Sequence, residues 1–93
     1  MIKENSYFDG NVKSLGFQQH GESMTVGVMA PGEYTFATDS PEKMTVIKGS
    51  LTIKRTSDQH WLTFHCGECF DVDGHSSFDL QVSQATAYLC EFL

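Results

Sequence analysis

The chain has 93 residues and a mass of 10.4 kDa, enough for one domain with one modest core. Apolar residues make up 40% and charged residues 19%, a composition of neither a disordered nor a membrane-embedded chain. Twelve acidic against six basic residues leave a net charge of −6, so neither duplex nucleic acid nor an anionic membrane surface is an expected partner.

The chain opens on Met1-Ile2-Lys3-Glu4-Asn5-Ser6, with no basic stretch followed by an apolar one, so no secretory leader is expected. With three cysteines, an odd number, reduced thiols in a cytoplasmic protein are the expectation. Turn residues then punctuate the chain at Asp9-Gly10, Gly16, Gly21, Pro31-Gly32, Ser40-Pro41, Lys48-Gly49, Ser57-Asp58, Gly67, Asp73-Gly74 and Ser83-Gln84. The segments between them are short and rich in Val, Ile, Thr, Phe and Tyr, which predicts strands. Met44–Ile47, Leu51–Ile53, Trp61–Phe64, Phe70–Val72 and Ala87–Leu93 are such segments. The alternation is clearest at Phe78-Asp79-Leu80-Gln81-Val82-Ser83, where apolar and polar residues take opposite faces. No segment carries a 3.6-residue apolar period. About eight or nine short strands with little or no helix predict an all-β jelly roll or small closed barrel. Such a fold removes exposed strand edges and can hold a ligand at its mouth.

His65-Cys66-Gly67-Glu68-Cys69 contains a C-x2-C pair, half of a zinc site. No second pair follows, and His60, His65 and His75 are not spaced to complete it. The plainer expectation is a turn flanked by two half-buried thiols.

Two longer stretches carry more. The first runs from Pro31-Gly32-Glu33-Tyr34-Thr35-Phe36 through Glu42 to Gly49, the second from Gly67 to Phe78. Together they resemble the two signature motifs of the cupin superfamily. Glu42 and Gly49 keep the spacing that closes the first motif, and Gly67 and Asp73 keep the five-residue gap of the second, with Asp where Pro is usual. The metal-ligating histidines of those motifs fall here on Phe36, Thr38 and near Phe78. Glu42 is left alone, and one carboxylate does not cage a divalent ion. The expectation is therefore a cupin-like barrel with an apolar interior and no metal.

The resemblance tightens over the whole chain. Ser6-Tyr7-Phe8, Val26-Gly27-Val28-Met29, Gly32-Glu33-Tyr34-Thr35-Phe36, Pro41-Glu42, Met44-Thr45-Val46-Ile47, Gly74-His75-Ser76 and Tyr88-Leu89-Cys90 resemble the small bacterial pyrimidine/purine nucleoside phosphorylases from about residue 5 onward. Asp73 departs from the Pro that precedes Gly-His-Ser in that pattern, and Cys66 and Cys69 lie outside it. The resemblance implies phosphorolysis of purine and pyrimidine nucleosides to a free base and ribose 1-phosphate. It also implies no cofactor and a cytoplasmic homodimer acting in salvage, with nucleosides and inorganic phosphate as partners.

Three tasks follow from that chemistry: holding phosphate, stabilising an oxocarbenium-like sugar and neutralising the departing base. His75 is the expected catalytic proton donor or phosphate contact, because imidazole titrates near neutral pH and Asp71, Asp73 and Asp79 are close in sequence. Glu42 is the second expected catalytic residue. The backbone of the Gly74-His75-Ser76-Ser77 turn is expected to form an anion nest, with the Ser76 hydroxyl as a donor. Lys48 and Arg55 are expected to be solvated charges. Thr45 and Gln81 are expected to point inward to ribose, and Tyr34, Phe36 and Phe78 to form a stacking wall tolerant of base identity. His20 and His60 are given no role. Strand edges near Tyr7-Phe8 and Tyr88 are expected to serve a two-fold interface. Two alternatives stay open from the residues alone: a metal-dependent cupin enzyme using the His/Cys cluster, and a non-catalytic barrel that binds a small metabolite.

Overall fold

A computed structural model describes residues Met1–Leu93. The chain forms ten strands and no helix: β1 (Lys3–Tyr7), β2 (Val12–Gln19), β3 (Glu22–Met29), β4 (Gly32–Ala37), β5 (Glu42–Lys48), β6 (Ser50–Arg55), β7 (Leu62–His65), β8 (Cys69–Val72), β9 (Ser77–Val82) and β10 (Thr86–Phe92). They pair antiparallel into a six-stranded sheet, order β1-β2-β3-β10-β5-β8, and a four-stranded sheet, order β4-β9-β6-β7. The two sheets close on each other as a jelly roll, the all-β class that the turn spacing predicts.

The core lies between the sheets. Val12, Met29, Met44, Val46, Phe70, Val72, Tyr88 and Cys90 come from the inner face of the larger sheet, and Tyr34, Leu51, Ile53, Phe78, Leu80 and Val82 from the smaller. Side chains two apart share a face of a strand, which is why the buried positions of β9 are Phe78, Leu80 and Val82. A row of three aromatic pairs runs through this core: Phe36 on Phe78, Phe78 on Phe70 and Phe70 on Phe64, with centroids 6.0, 6.1 and 4.8 Å apart.

Two close approaches set the geometry at one end. Gly49 turns β5 into β6 with φ +102°, and a Cβ there would overlap the Thr86 hydroxyl. That hydroxyl is fully buried. It accepts from the Ser50 N–H at 3.2 Å and lies 3.0 and 2.9 Å from the Ser50 and Gln84 carbonyl oxygens. At the other approach, a Cβ on Gly27 would sit 2.6 Å from the Tyr88 hydroxyl oxygen, so the bare backbone of β3 makes room for that ring.

Three local expectations change. Gly16 is not a turn but the middle of β2, paired with Lys3 and Thr25; its φ is not positive, and the turn lies at His20-Gly21. Tyr88 is not at an edge, because β10 is central, between β3 and β5. Cys66 and Cys69 are not half-buried: both are exposed around the β7–β8 turn.

Candidate functional site

β1 ends the six-stranded sheet and β4 ends the four-stranded one. Beside those edges, between the sheets, is a cavity of about 600 Å³, within the usual range of small-molecule sites. Its wall is apolar for the most part, with Phe36, Phe78, Met29 and Met44 inside and Tyr7, Phe8 and Phe92 nearer solvent. Polar groups reach it from Ser14, Thr25, Asp39, Ser40, Glu42, Tyr88 and Cys90. No Lys or Arg lines it.

Of the positions that align with cupin metal-ligand histidines, Phe36 and Phe78 meet in the cavity and Thr38 does not line it. Phe36 on β4 pairs directly with Phe78 on β9, and their rings are near parallel at 27°. Glu42, the one remaining position of that set, lines the same cavity. Thr38 is buried and structural: its hydroxyl donates to the Asp73 carbonyl at 2.6 Å and accepts from the Ser76 N–H at 3.0 Å. No cluster of three or more His, Cys, Asp or Glu side chains is placed to hold a metal ion.

Glu42 is one of the titratable groups that line the cavity. It opens β5 opposite Phe92 and Val72, half-buried among apolar side chains. Burial pushes its carboxyl above the usual carboxylate range; the Cys90 thiol, which donates to Oε1 at 3.4 Å, pulls it back, and the Asp39 charge adds to the rise. Burial and the Glu42 charge push the Cys90 thiol up as well, so it stays protonated and able to donate. Burial also moves the Tyr88 hydroxyl up to about 12, keeping it a neutral donor.

The structure brings Glu42, Phe36 and Phe78 together and leaves the other expected site residues outside the cavity. Tyr34 is core: it is 6% exposed and donates to the Ala30 carbonyl at 2.6 Å. Thr45 has the opposite strand parity to Glu42 and lies on the outer face of β5, between Leu89 and Cys69. Gln81 has the opposite parity to Phe78 and is exposed on the outer face of β9, opposite Glu33 and Thr52. His75 is exposed in a left-handed turn with φ +50°. The expected anion nest does not form there, because the His75 N–H donates to the Asp39 carbonyl at 3.0 Å and the Ser76 N–H is taken by Thr38. Ser76 lies 3.2 Å from the Thr56 hydroxyl. Arg55 is occupied, with Nε 2.8 Å from the Asp58 carboxylate and Nη1 donating to the Asp71 carbonyl at 2.8 Å.

Several lining residues carry no site role in the sequence reading: Tyr7, Phe8, Ser14, Thr25, Asp39, Tyr88 and Cys90. Strand parity marks part of this set, because Tyr88 and Cys90 share a face with Thr86 and Phe92. Nothing in the sequence brings the β1–β2 turn to β4.

The family model for pyrimidine/purine nucleoside phosphorylase matches residues 2–92. A pyrimidine/purine nucleoside phosphorylase of Vibrio cholerae serotype O1 is 71% identical over 93 residues, covering 100% of this chain and 98% of that protein. Its counterpart in Aeromonas hydrophila is 59% identical over 93 residues, covering 100% of this chain and 99% of that protein. A crystal structure of a protein of unknown function from Vibrio parahaemolyticus superposes with a TM-score of 0.97 at 64% identity, covering 100% of this chain and 99% of that one. An RmlC-like cupin from Shewanella frigidimarina superposes with a TM-score of 0.77 at 16% identity, covering 98% of this chain and 82% of that one; that likeness is one of fold.

Proposed function

The chain belongs to the pyrimidine/purine nucleoside phosphorylase family, and we propose that the cavity between its two sheets is where phosphate splits a nucleoside. In the reaction a phosphate oxygen forms a bond to C1′ as the C1′–N bond breaks. The bonding pair leaves with the base, which takes up a proton, and the products are the free base and ribose 1-phosphate. The observation that carries the placement is a half-buried carboxyl, Glu42, beside the paired rings of Phe36 and Phe78 in a mostly apolar cavity of about 600 Å³.

Each part of the wall suits one step. Phe36 and Phe78 offer π-faces, and every base has one, so purines and pyrimidines are held alike. Glu42 takes the acid role. The cavity holds Asp39 and Glu42 and no cation, so an entering phosphate adds negative charge beside a carboxyl that burial already favours in its neutral form. A like charge raises a carboxyl pKa further. Protonated Glu42 then hands its proton to the departing base and recovers one from the phosphate, which loses its own on becoming an ester. The hydroxyls of Ser14, Thr25, Ser40 and Tyr88 are the neutral donors available to phosphate and ribose oxygens. His75 stays outside the cavity and bears on it through its backbone N–H, which holds the carbonyl of Asp39.

A homodimer is part of this reading. The outer face of the six-stranded sheet carries a cross-strand row of Leu15, Val26, Leu89 and Thr45, flanked by Val28 and Ile47. Leu15, Val26, Val28 and Ile47 are 40–51% exposed in the single chain. A second copy seated on this face would cover them.

Adenosine and uridine, each incubated with the purified protein and phosphate, are expected to yield free base and ribose 1-phosphate. Survival of both nucleosides with phosphate present would overturn the reading.

A further inference from the structure

We infer that Phe8, at the tip of the β1–β2 hairpin, is a base-contacting residue, and that the strained turn exists to aim its ring into the cavity. The inference rests on the phosphorylase reading for the identity of its ligand.

The observation is one of direction. Successive side chains of a strand point to opposite faces. Tyr7 is the last residue of β1 and Phe8 is the next residue, yet both line the cavity. They do so because the backbone turns left-handed at once, with φ +53° at Phe8 and +56° at Asp9. The Gly10 N–H closes the turn on the Tyr7 carbonyl at 3.1 Å, and the Asn11 backbone and side chain both donate to the Phe8 carbonyl, at 3.1 and 3.0 Å.

This turn needs positive φ at both central positions, which Asn or Gly supplies without strain. A phenylalanine there is an outlier. Such strain persists where surrounding contacts hold it, and it gathers at ligand clamps. Here the Phe8 ring is held against Tyr34, centroids 5.0 Å apart, and meets Phe36 edge-on at 5.4 Å. Tyr7 meets the same Phe36 edge-on at 6.2 Å. Phe36 thus meets both rings of the hairpin edge-on and stacks with Phe78. Phe8 remains 42% and Tyr7 46% exposed. Two partly exposed rings beside a cavity leave apolar surface that a planar base would cover. A base set against Phe36 would have Phe8 and Tyr7 as its clasp. The contact involves no base-edge hydrogen bond, so it serves purines and pyrimidines equally.

Phe8→Asn tests this, because Asn accepts the left-handed turn and removes the ring. Binding of adenosine and of uridine is measured by calorimetry without phosphate, and ribose 1-phosphate, which has no base, is titrated in parallel. Phe8→Asn is expected to weaken both nucleosides about tenfold, the size of one aromatic stacking contact, with ribose 1-phosphate unchanged. Phe8→Tyr, which keeps the ring, is expected to bind all three like the wild type. Unchanged nucleoside binding by Phe8→Asn would overturn the inference. So would an equal loss for ribose 1-phosphate, which would mean that the cavity itself had changed, and so would absence of nucleoside binding in the wild type. If Phe8→Asn does not fold, Phe8→Gly takes its place with the same criteria. A wild type that binds nucleosides but releases no base with phosphate would defeat the phosphorylase reading and leave the Phe8 result standing.

Discussion

In the proposed reaction Glu42 joins a cost to stability with a use in chemistry. Its folded-state pKa is raised above the ordinary 4.5, first by burial and then by Asp39, against the pull of the Cys90 thiol. The folded protein therefore holds this proton more tightly than the unfolded chain. The contribution to stability is full below the ordinary value and is lost as pH rises through the raised one. Glu42→Gln removes the titration, keeps the shape and leaves an oxygen for the Cys90 thiol. The difference in Tm between Glu42→Gln and wild type is expected to grow in favour of the variant from acid toward neutral pH, and then to level off. A difference independent of pH, measured by thermal denaturation across that range, would contradict the raised pKa. At the same time kcat/KM for adenosine and uridine is expected to fall by about 10²-fold or more, the usual worth of a positioned proton donor. A variant that is more stable and less active is the signature of a group held in a costly state for function.

At the scale of the elements, the β5–β6 turn has the least freedom. Alanine at Gly49 would have to adopt φ +102° and would press its Cβ onto the Thr86 hydroxyl. That hydroxyl cannot retreat without giving up the Ser50 N–H and its carbonyl neighbours. Backbone strain of about 1–2 kcal/mol and a disturbed buried hydroxyl worth about 1–3 kcal/mol point the same way. Gly49→Ala is expected to lower stability by about 2–4 kcal/mol, read as a Tm drop of about 10 °C or more; a drop of only a degree or two would mean that the turn adapts. How far such elements can be read beforehand depends on their two faces. Strand β9 was legible because Phe78, Leu80 and Val82 alternate with Asp79 and Gln81. That same parity puts Gln81 outside, and parity on β5 puts Thr45 opposite Glu42. Strand β10 is legible as a strand but less so in its facing, because Tyr88, Cys90 and Phe92 on one face alternate with Ala87 and Leu89 on the other. The motif positions Phe36, Glu42 and Phe78 meet in the cavity, since the jelly roll itself brings them there. Sequence reasoning assigns the hairpin residues Tyr7 and Phe8 to an interface edge and not to the cavity, because their meeting with β4 is a contact between separate sheets, set by a left-handed turn that no apolar pattern encodes. The Gly74-His75-Ser76 turn has the sequence of an anion nest, but the His75 and Ser76 N–H groups are spent on Asp39 and Thr38.

The whole molecule poses a question of charge against apolar surface. The core of a 93-residue chain is small, yet Leu15, Val26, Val28 and Ile47 stand exposed on the outer face of the six-stranded sheet. Met24, also on that face, is 8% exposed and belongs to no part of the central core. An exposed apolar stripe of this kind suits the proposed association, and two copies related by a two-fold axis would each present the same row to the other. Opposed to this is a charge of −6 on each copy, which repels at long range. Salt screens that repulsion, with a Debye length of about 10 Å at 0.1 M, while leaving apolar burial intact. The dimer is therefore expected to tighten as salt is raised from low concentration, the reverse of an interface held by ion pairs. Sedimentation should show a species of twice 10.4 kDa, with a dissociation constant that falls with added salt. Val26→Lys places a charge in the centre of the Leu15–Val26–Leu89 row and is expected to give a folded monomer. On a face that was simply solvated, the same change would cost no more than about 0.5 kcal/mol and would leave the sedimentation of the wild type and the variant alike. A wild type of 10.4 kDa at micromolar concentration and high salt would remove the interface from this sheet.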